Sequence, residues 1–270
     1  MKASRQLSQW SSFTFDRHQI SAEVALTRRA QGRLEGKLAA LGFDTRQELV
    51  AEAWLQETIS TAANEGERLN LQAMRSSIAR RLTGTQQDSL ATPRHIDGLL
   101  DIMDDAITNA RAPLTHERLQ GWQAALFPTG FSGMTAIRVG AYRDHAEPMQ
   151  IVSGGIGGET IRYEAPLSAA VAAEMNCLLD WLKALQEQDA FVQAAIAHFW
   201  LEAIHPFEDG NGCVGRAVID FMLARDAGEQ SRLIRISQCL LENRNAYYEE
   251  LNQAQRGSLD MTQWIAWFIA

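Results

Sequence analysis

Ile204-His205-Pro206-Phe207-Glu208-Asp209-Gly210-Asn211-Gly212-Cys213-Val214-Gly215-Arg216 decides how the rest of the chain is read. A titratable base, carboxylates, three glycines, an amide and an arginine fall within one short loop and the start of an apolar run. Each residue type suits a bound polyphosphate. His205 can take a proton near neutral pH. Asp209 offers oxygen to Mg²⁺, a hard cation that shares its shell with phosphates. Gly210, Asn211 and Gly212 tolerate positive φ, so their N–H groups can turn inward as an anion nest. The run after Cys213 is helical in character, and its N-terminus would add positive partial charge. Arg216 would supply a forked cation for a terminal phosphate.

The plain alternative is a helix–turn–helix in which Gly-Asn-Gly only reverses the chain. The flanking His, Asp and Arg, all spaced for one site, favour the chemical reading. A P-loop or Rossmann site is excluded by context. Both need a strand directly before the glycines, and Phe191 to Ile204 has the pattern of a helix.

With 270 residues, 46% of them hydrophobic, seven Trp and ten Phe, the chain is long and apolar enough for a large globular core. It has no run of eighteen apolar residues, and its first residues lack an apolar signal region, so no membrane is expected and the location is the cytoplasm. Three cysteines, Cys177, Cys213 and Cys239, show neither disulfide nor zinc spacing. A net charge of −8 argues against a nucleic-acid surface.

Helical periodicity predicts segments at 20–41, 45–64, 71–82, 95–110 and 115–126, the last with Thr115 and Arg118 in its first turn. From Phe127 to about Tyr163 the composition turns to Gly and β-branched residues. Two strands, 135–139 and 149–152, are expected there, joined through a polar turn at Arg143, Asp144 and His145. Helices resume at 169–186, 191–204, 214–227, 245–254 and 261–269.

The string from His205 through Gly212 to Arg216 closely resembles the active-site motif of the Fic (Fido) family. Ala194 to Trp200 resembles the helix leading into that motif. Gly140 to Arg143, followed by Met149 to Val152, resembles the family's flap hairpin. Asn243 to Leu251 resembles the helix beside the adenosine. Thr61-Ala62-Ala63-Asn64-Glu65-Gly66 fits the family's inhibitory pattern, and Arg75 to Leu82 resembles an N-terminal extension of one bacterial branch.

The resemblance implies an all-α fold: a Fic-type helical core with a short β-hairpin flap and an N-terminal helical extension. It places the extension at 1–84, a connecting helix at 85–112 and the catalytic domain at 113–270. It implies transfer of AMP from ATP, with Mg²⁺, to a Ser, Thr or Tyr hydroxyl of a protein target. His205 would be the base and Asp209 the metal ligand. ATP would meet Gln150, Ile151, Val152 and Ser153 on the flap, Asp209, Gly210, Asn211, Gly212, Cys213, Val214, Gly215 and Arg216, and then Tyr247, Tyr248 and Gln255. Glu65 would be the inhibitory carboxylate, and a homodimer stays open.

Cys213 departs from the family, which usually has Arg there. Losing a charge-assisted bond worth about 1.5–3 kcal/mol would weaken ATP binding about ten- to a hundredfold. This leaves a nucleotide-binding regulator, or removal of AMP by hydrolysis, as rival readings. His198, Glu202 and His205 share a helix face, but the spacing is not that of a zinc helix, so His198 is expected to be a hydrogen-bonded core residue. A Cys213–His205 nucleophile pair is the weaker reading of those residues. Phe207 is expected to anchor the loop, and Arg75 to Arg81 to be surface charge.

Overall fold

The apolar run at 190–204 is hydrophobic on every side, a pattern that only a helix inside the core can satisfy. In the computed structural model this is α7 (Ala190–Ile204), almost wholly buried. The structure describes residues 10–64, 70–83, 94–153, 160–184 and 188–270. Alongside α7 runs α8 (Asn211–Ala227), also buried through most of its length. The two approach so closely at Gly215 that a Cβ there would lie 2.7 Å from Glu202 Oε1 and 3.1 Å from His198 Nδ1.

Around this pair pack α6 (Ser168–Lys183) and α11 (Thr262–Ile269) on α7, and α4 (Arg94–Thr108) and α5 (His116–Leu126) on α8. The α5 start was legible: Thr115 caps it by accepting from the Arg118 N–H at 3.2 Å. The N-terminal elements are α1 (Ser21–Ala39), α2 (Phe43–Asn64) and α3 (Leu71–Thr83). With α4, the helices α2 and α3 enclose a second apolar cluster built on Trp54, Leu55, Met74, Ile78 and Leu100, which reaches Cys213 on α8. A 3₁₀ turn (Gly228–Leu233), α9 (Ile236–Glu242) and α10 (Arg244–Arg256) complete the helices, the first two unforeseen from the sequence.

The expected pairing of 135–139 with 149–152 is not what forms. Instead β1 (Phe131–Ser132) pairs with β2 (Thr135–Ala136), and β3 (Gln150–Ser153) pairs with β4 (Thr160–Glu164), each antiparallel. Strands closer in sequence close shorter loops at less entropic cost. The expected turn residue Arg143 is buried rather than exposed. None of the helices among the described residues is long and apolar enough to cross a membrane.

Candidate active site

Pro206 has no N–H and disfavours α geometry in the residue before it, so α7 must end at His205. His205 is the C-cap, with φ 50° and ψ 63°. Among the described residues, it and Ser11 are the non-glycine residues with positive φ. Each carbonyl from Ala203 to Phe207 around this strained corner accepts a hydrogen bond. Leu201 O accepts from the His205 N–H at 2.8 Å, and Ala203 O from the Tyr163 hydroxyl at 3.0 Å. Arg143 serves the rest: its Nε donates to His205 O at 2.8 Å, its Nη2 to Ile204 O at 3.3 Å, and its backbone N–H to Pro206 O at 2.9 Å.

The His205 side chain is 16% exposed, and its Nδ1 lies 3.9 Å from Glu202 Oε2. Burial, helped by the positive charge of Arg143, pushes its pKa down to about 4. The ring is therefore neutral at pH 7, the state a proton acceptor needs.

Beyond the corner, Phe207 is fully buried and packs on Tyr142 with ring centres 5.4 Å apart, the anchor expected of it. Asn211 clasps it: Phe207 N–H donates to Asn211 Oδ1, and Asn211 Nδ2 donates to Phe207 O, both at 2.9 Å. The anticipated three-residue nest does not form. Gly210 alone of the three has positive φ, 86°, and a Cβ there would lie 2.8 Å from the Phe127 ring. Asn211 and Gly212 are instead the first residues of α8, three positions earlier than expected. What this corner offers an anion is thus a helix N-terminus, whose first N–H groups have no partner within the helix.

Asp209 stands at its mouth, with Oδ1 accepting from the Gly210 N–H at 2.7 Å and Oδ2 from the Ser132 hydroxyl. Asp209, Gly210, Cys213 and Ser132 line a cavity of about 160 Å³ with Ala62 of α2 on its wall. The described residues hold no group of three or more His, Cys, Asp or Glu placed to bind a metal. A single carboxylate beside an anion site still suits Mg²⁺, which commonly takes one or two protein carboxylates plus phosphate and water oxygens.

Arg216 does not open onto solvent. It is 5% exposed, and its Nη2 donates to Thr61 O at 3.2 Å and lies 3.6 Å from Cys213 Sγ. Thr61 O is among the last carbonyls of α2, the negative end of that helix. Two buried carboxyls share the neighbourhood. Burial raises the pKa of Glu57 against hydrogen bonds from Ser237 and the charge of Arg216. Burial raises Asp220 too, reinforced by Glu57.

The α2 helix is fastened to Ser237 of α9 by three residues on one face. Glu57 Oε1 accepts from the Ser237 N–H at 2.6 Å, Thr61 Oγ1 donates to Ser237 Oγ at 2.8 Å, and Asn64 Nδ2 donates to Ser237 O at 3.1 Å. Every polar group of Ser237 is thereby taken. The sequence offers little hint of this, since α2 carries many other polar residues besides these three at i, i+4 and i+7. Glu65 lies outside the described residues, and so does its expected contact with Arg216.

The remaining expected contacts divide. His205, Asp209, Gly210, Asn211, Gly212 and Cys213 come together at one corner. Val214 is fully buried with its N–H spent on Gly210 O, and Gly215 faces α7, so both serve packing. Gln150 is exposed and Ile151 half-buried on β3, with Val152 and Ser153 continuing the strand opposite Ile161 and Thr160. On α10, Tyr248 is 47% exposed, whereas Tyr247 and Gln255 are buried. The Tyr247 hydroxyl sits 3.0 Å from His198 Nε2, making His198 the bonded core residue expected; burial holds its pKa near 3. Glu57, Ser132 and Ser237 were not singled out from the sequence, and Arg143 was read there only as part of a turn and flap.

Residues 113–223 match the model of the Fic/DOC family, and residues 5–83 match a domain of unknown function, DUF4172. The protein adenylyltransferase Fic of Nematostella vectensis is 35% identical over 96 residues, 35% of this chain and 21% of that protein. The protein of the same name from Aedes aegypti is 27% identical over 229 residues, 77% of this chain and 38% of that protein. The chain thus spans well under half the length of these relatives. Among solved structures, a Fic family protein from Desulfovibrio desulfuricans G20 superposes with a TM-score of 0.65 at 21% identity, covering 92% of this chain and 70% of that one. Fic-1 from C. elegans gives 0.56 at 20% identity, covering 93% and 70%. Motif, helical architecture and family match agree over one stretch: residues 113–223 of this chain match the Fic/DOC family.

Proposed function

We propose that the chain transfers AMP from Mg·ATP to a Ser, Thr or Tyr hydroxyl of a protein target, with the α2 helix as its brake. The carrying observation is the meeting of a neutral His205 with the N-terminus of α8 six residues on. The adenylyltransferase names of the relatives support the same class. In this reading the target hydroxyl gives its proton to His205 as its oxygen bonds to the α-phosphorus. The bond from that phosphorus to the β-phosphate oxygen breaks, and diphosphate leaves. The N–H groups at the start of α8 stabilise charge growing on the α-phosphate oxygens. Asp209 would hold the Mg²⁺ that enters with ATP and offsets phosphate charge.

An extended target segment would add to the β3 edge near Gln150. The division into 1–84, 85–112 and 113–270 is proposed on the same basis. Glu65 would act as the inhibitory carboxylate. Support comes from Arg216, whose Nη2 is engaged by Thr61 O in the last turn of α2. Cys213 favours a second reading, a nucleotide-binding regulator with weakened chemistry.

Incubating wild type and Glu65→Gly with Mg·ATP and a cell lysate, followed by intact-mass measurement, tests the proposal. AMP adducts rising in the variant are expected. Tighter ATP binding with no adduct on any protein would support the regulator instead.

A further inference from the structure

We propose that Arg143 is the positioning residue that holds His205 in its working geometry. The proposal rests on His205 being the base and adds what keeps it aimed. A helix end leaves its last carbonyls without partners, and here the following Pro206 removes one more donor. The corner also carries a residue with a β-carbon at φ 50°, a strained conformation that persists only where surroundings over-determine it. Arg143 provides that over-determination. Three successive carbonyls, at Ile204, His205 and Pro206, accept from this one residue.

Its far side is equally fixed. Arg143 Nη2 donates to Pro166 O at 2.6 Å and Nη1 to Ser168 Oγ at 3.0 Å, at the start of α6. The side chain is 2% exposed. A guanidinium suits the task because its donors form a rigid planar fork spanning several acceptors at once; an ammonium cannot reach all of them. Its neighbour Tyr142 packs on Phe207, so the same short segment braces the loop on both sides of Pro206. Since small misplacements of a reacting group cost about 10²-fold in rate, freeing this corner should act on turnover and leave nucleotide binding intact.

The test compares wild type, Arg143→Met and Arg143→Lys. Turnover is read separately from ATP affinity, and the His205 ¹³Cα chemical shift serves as a marker of its backbone conformation. Expected for a folded Arg143→Met are a ¹³Cα shift leaving the left-handed range, kcat lower by about 10²-fold and ATP affinity within about twofold. Arg143→Lys should recover part of kcat. Should Arg143→Met not fold, Ser168→Ala, which removes one anchor of the guanidinium, carries the same comparison with a smaller fall. An unmoved ¹³Cα shift with kcat within about threefold overturns the proposal, as does a parallel loss of turnover and ATP affinity. If no form transfers AMP, including one carrying Glu65→Gly, the transferase reading fails. The ¹³Cα shift then decides alone whether Arg143 sets the corner.

Discussion

The hydroxyl of Thr61 donates to the hydroxyl of Ser237 at 2.8 Å, joining residues 176 positions apart in the chain. With Glu57 and Asn64 it fixes α2 where Ala62 walls the cavity at the start of α8. The first prediction follows from that fastening. A neutral hydrogen bond contributes about 1 kcal/mol net, so each one lost shifts the docked–released balance of α2 about fivefold. Thr61→Val combined with Asn64→Ala should speed amide exchange in residues 57–64 and tighten ATP binding about tenfold or more. Faster exchange with unchanged ATP affinity would show that α2 does not guard the site.

His205→Ala should lower AMP transfer by about 10²–10⁴-fold while ATP affinity stays within about twofold, because the base acts on the incoming hydroxyl. Single-turnover labelling beside an ATP titration checks this. Transfer at the wild-type rate would remove His205 from its proposed role.

Cys213→Arg should tighten ATP binding by about ten- to a hundredfold if its guanidinium reaches the cavity that Cys213 lines with Asp209 and Gly210. Calorimetric titration of both forms decides it. Equal affinities would mean that the first turn of α8 suffices without a second cation.

The acid dependence of transfer should be unusual for a histidine base. With its pKa depressed to about 4, His205 keeps its neutral, proton-accepting form as pH falls through 6.5, the ordinary midpoint, and loses it only near 4. Rates measured at saturating Mg·ATP should therefore stay nearly level from pH 8 to about 5.5. A fall centred near 6.5 would place the ring in a wetter setting than the corner described above.

Local patterns carried much of this architecture. The apolar run of 190–204, the helix start at Thr115 and the Gly-Asn-Gly string each declare themselves within a few residues, and the helices that were expected appear within a turn of their expected ends. Strand pairing did not. Strands of two to five residues carry little periodicity, and their partners were settled by loop closure. The α8 start was missed by three residues because Asn211 and Gly212 favour turns in isolation. Arg143 was the larger miss. A charged residue in a Gly-rich segment suggests solvent, and only the fold brings the end of α7 to it. The grip of Glu57, Thr61 and Asn64 on Ser237 likewise depends on contacts more than 170 residues apart.

The absence of a side chain at Gly215 carries a consequence for anyone redesigning this protein. α7 and α8 touch there, so the helix that ends at His205 and the helix that starts at Asn211 share one packing interface. Neither can be retuned by sliding its own helix. Gly215→Ala would crowd the Glu202 carboxylate and the His198 ring of α7, and one of them or the helices must shift to make room. Altered specificity is better sought at the periphery, in the hairpins and α2, where a change can be made without rebuilding the engine block.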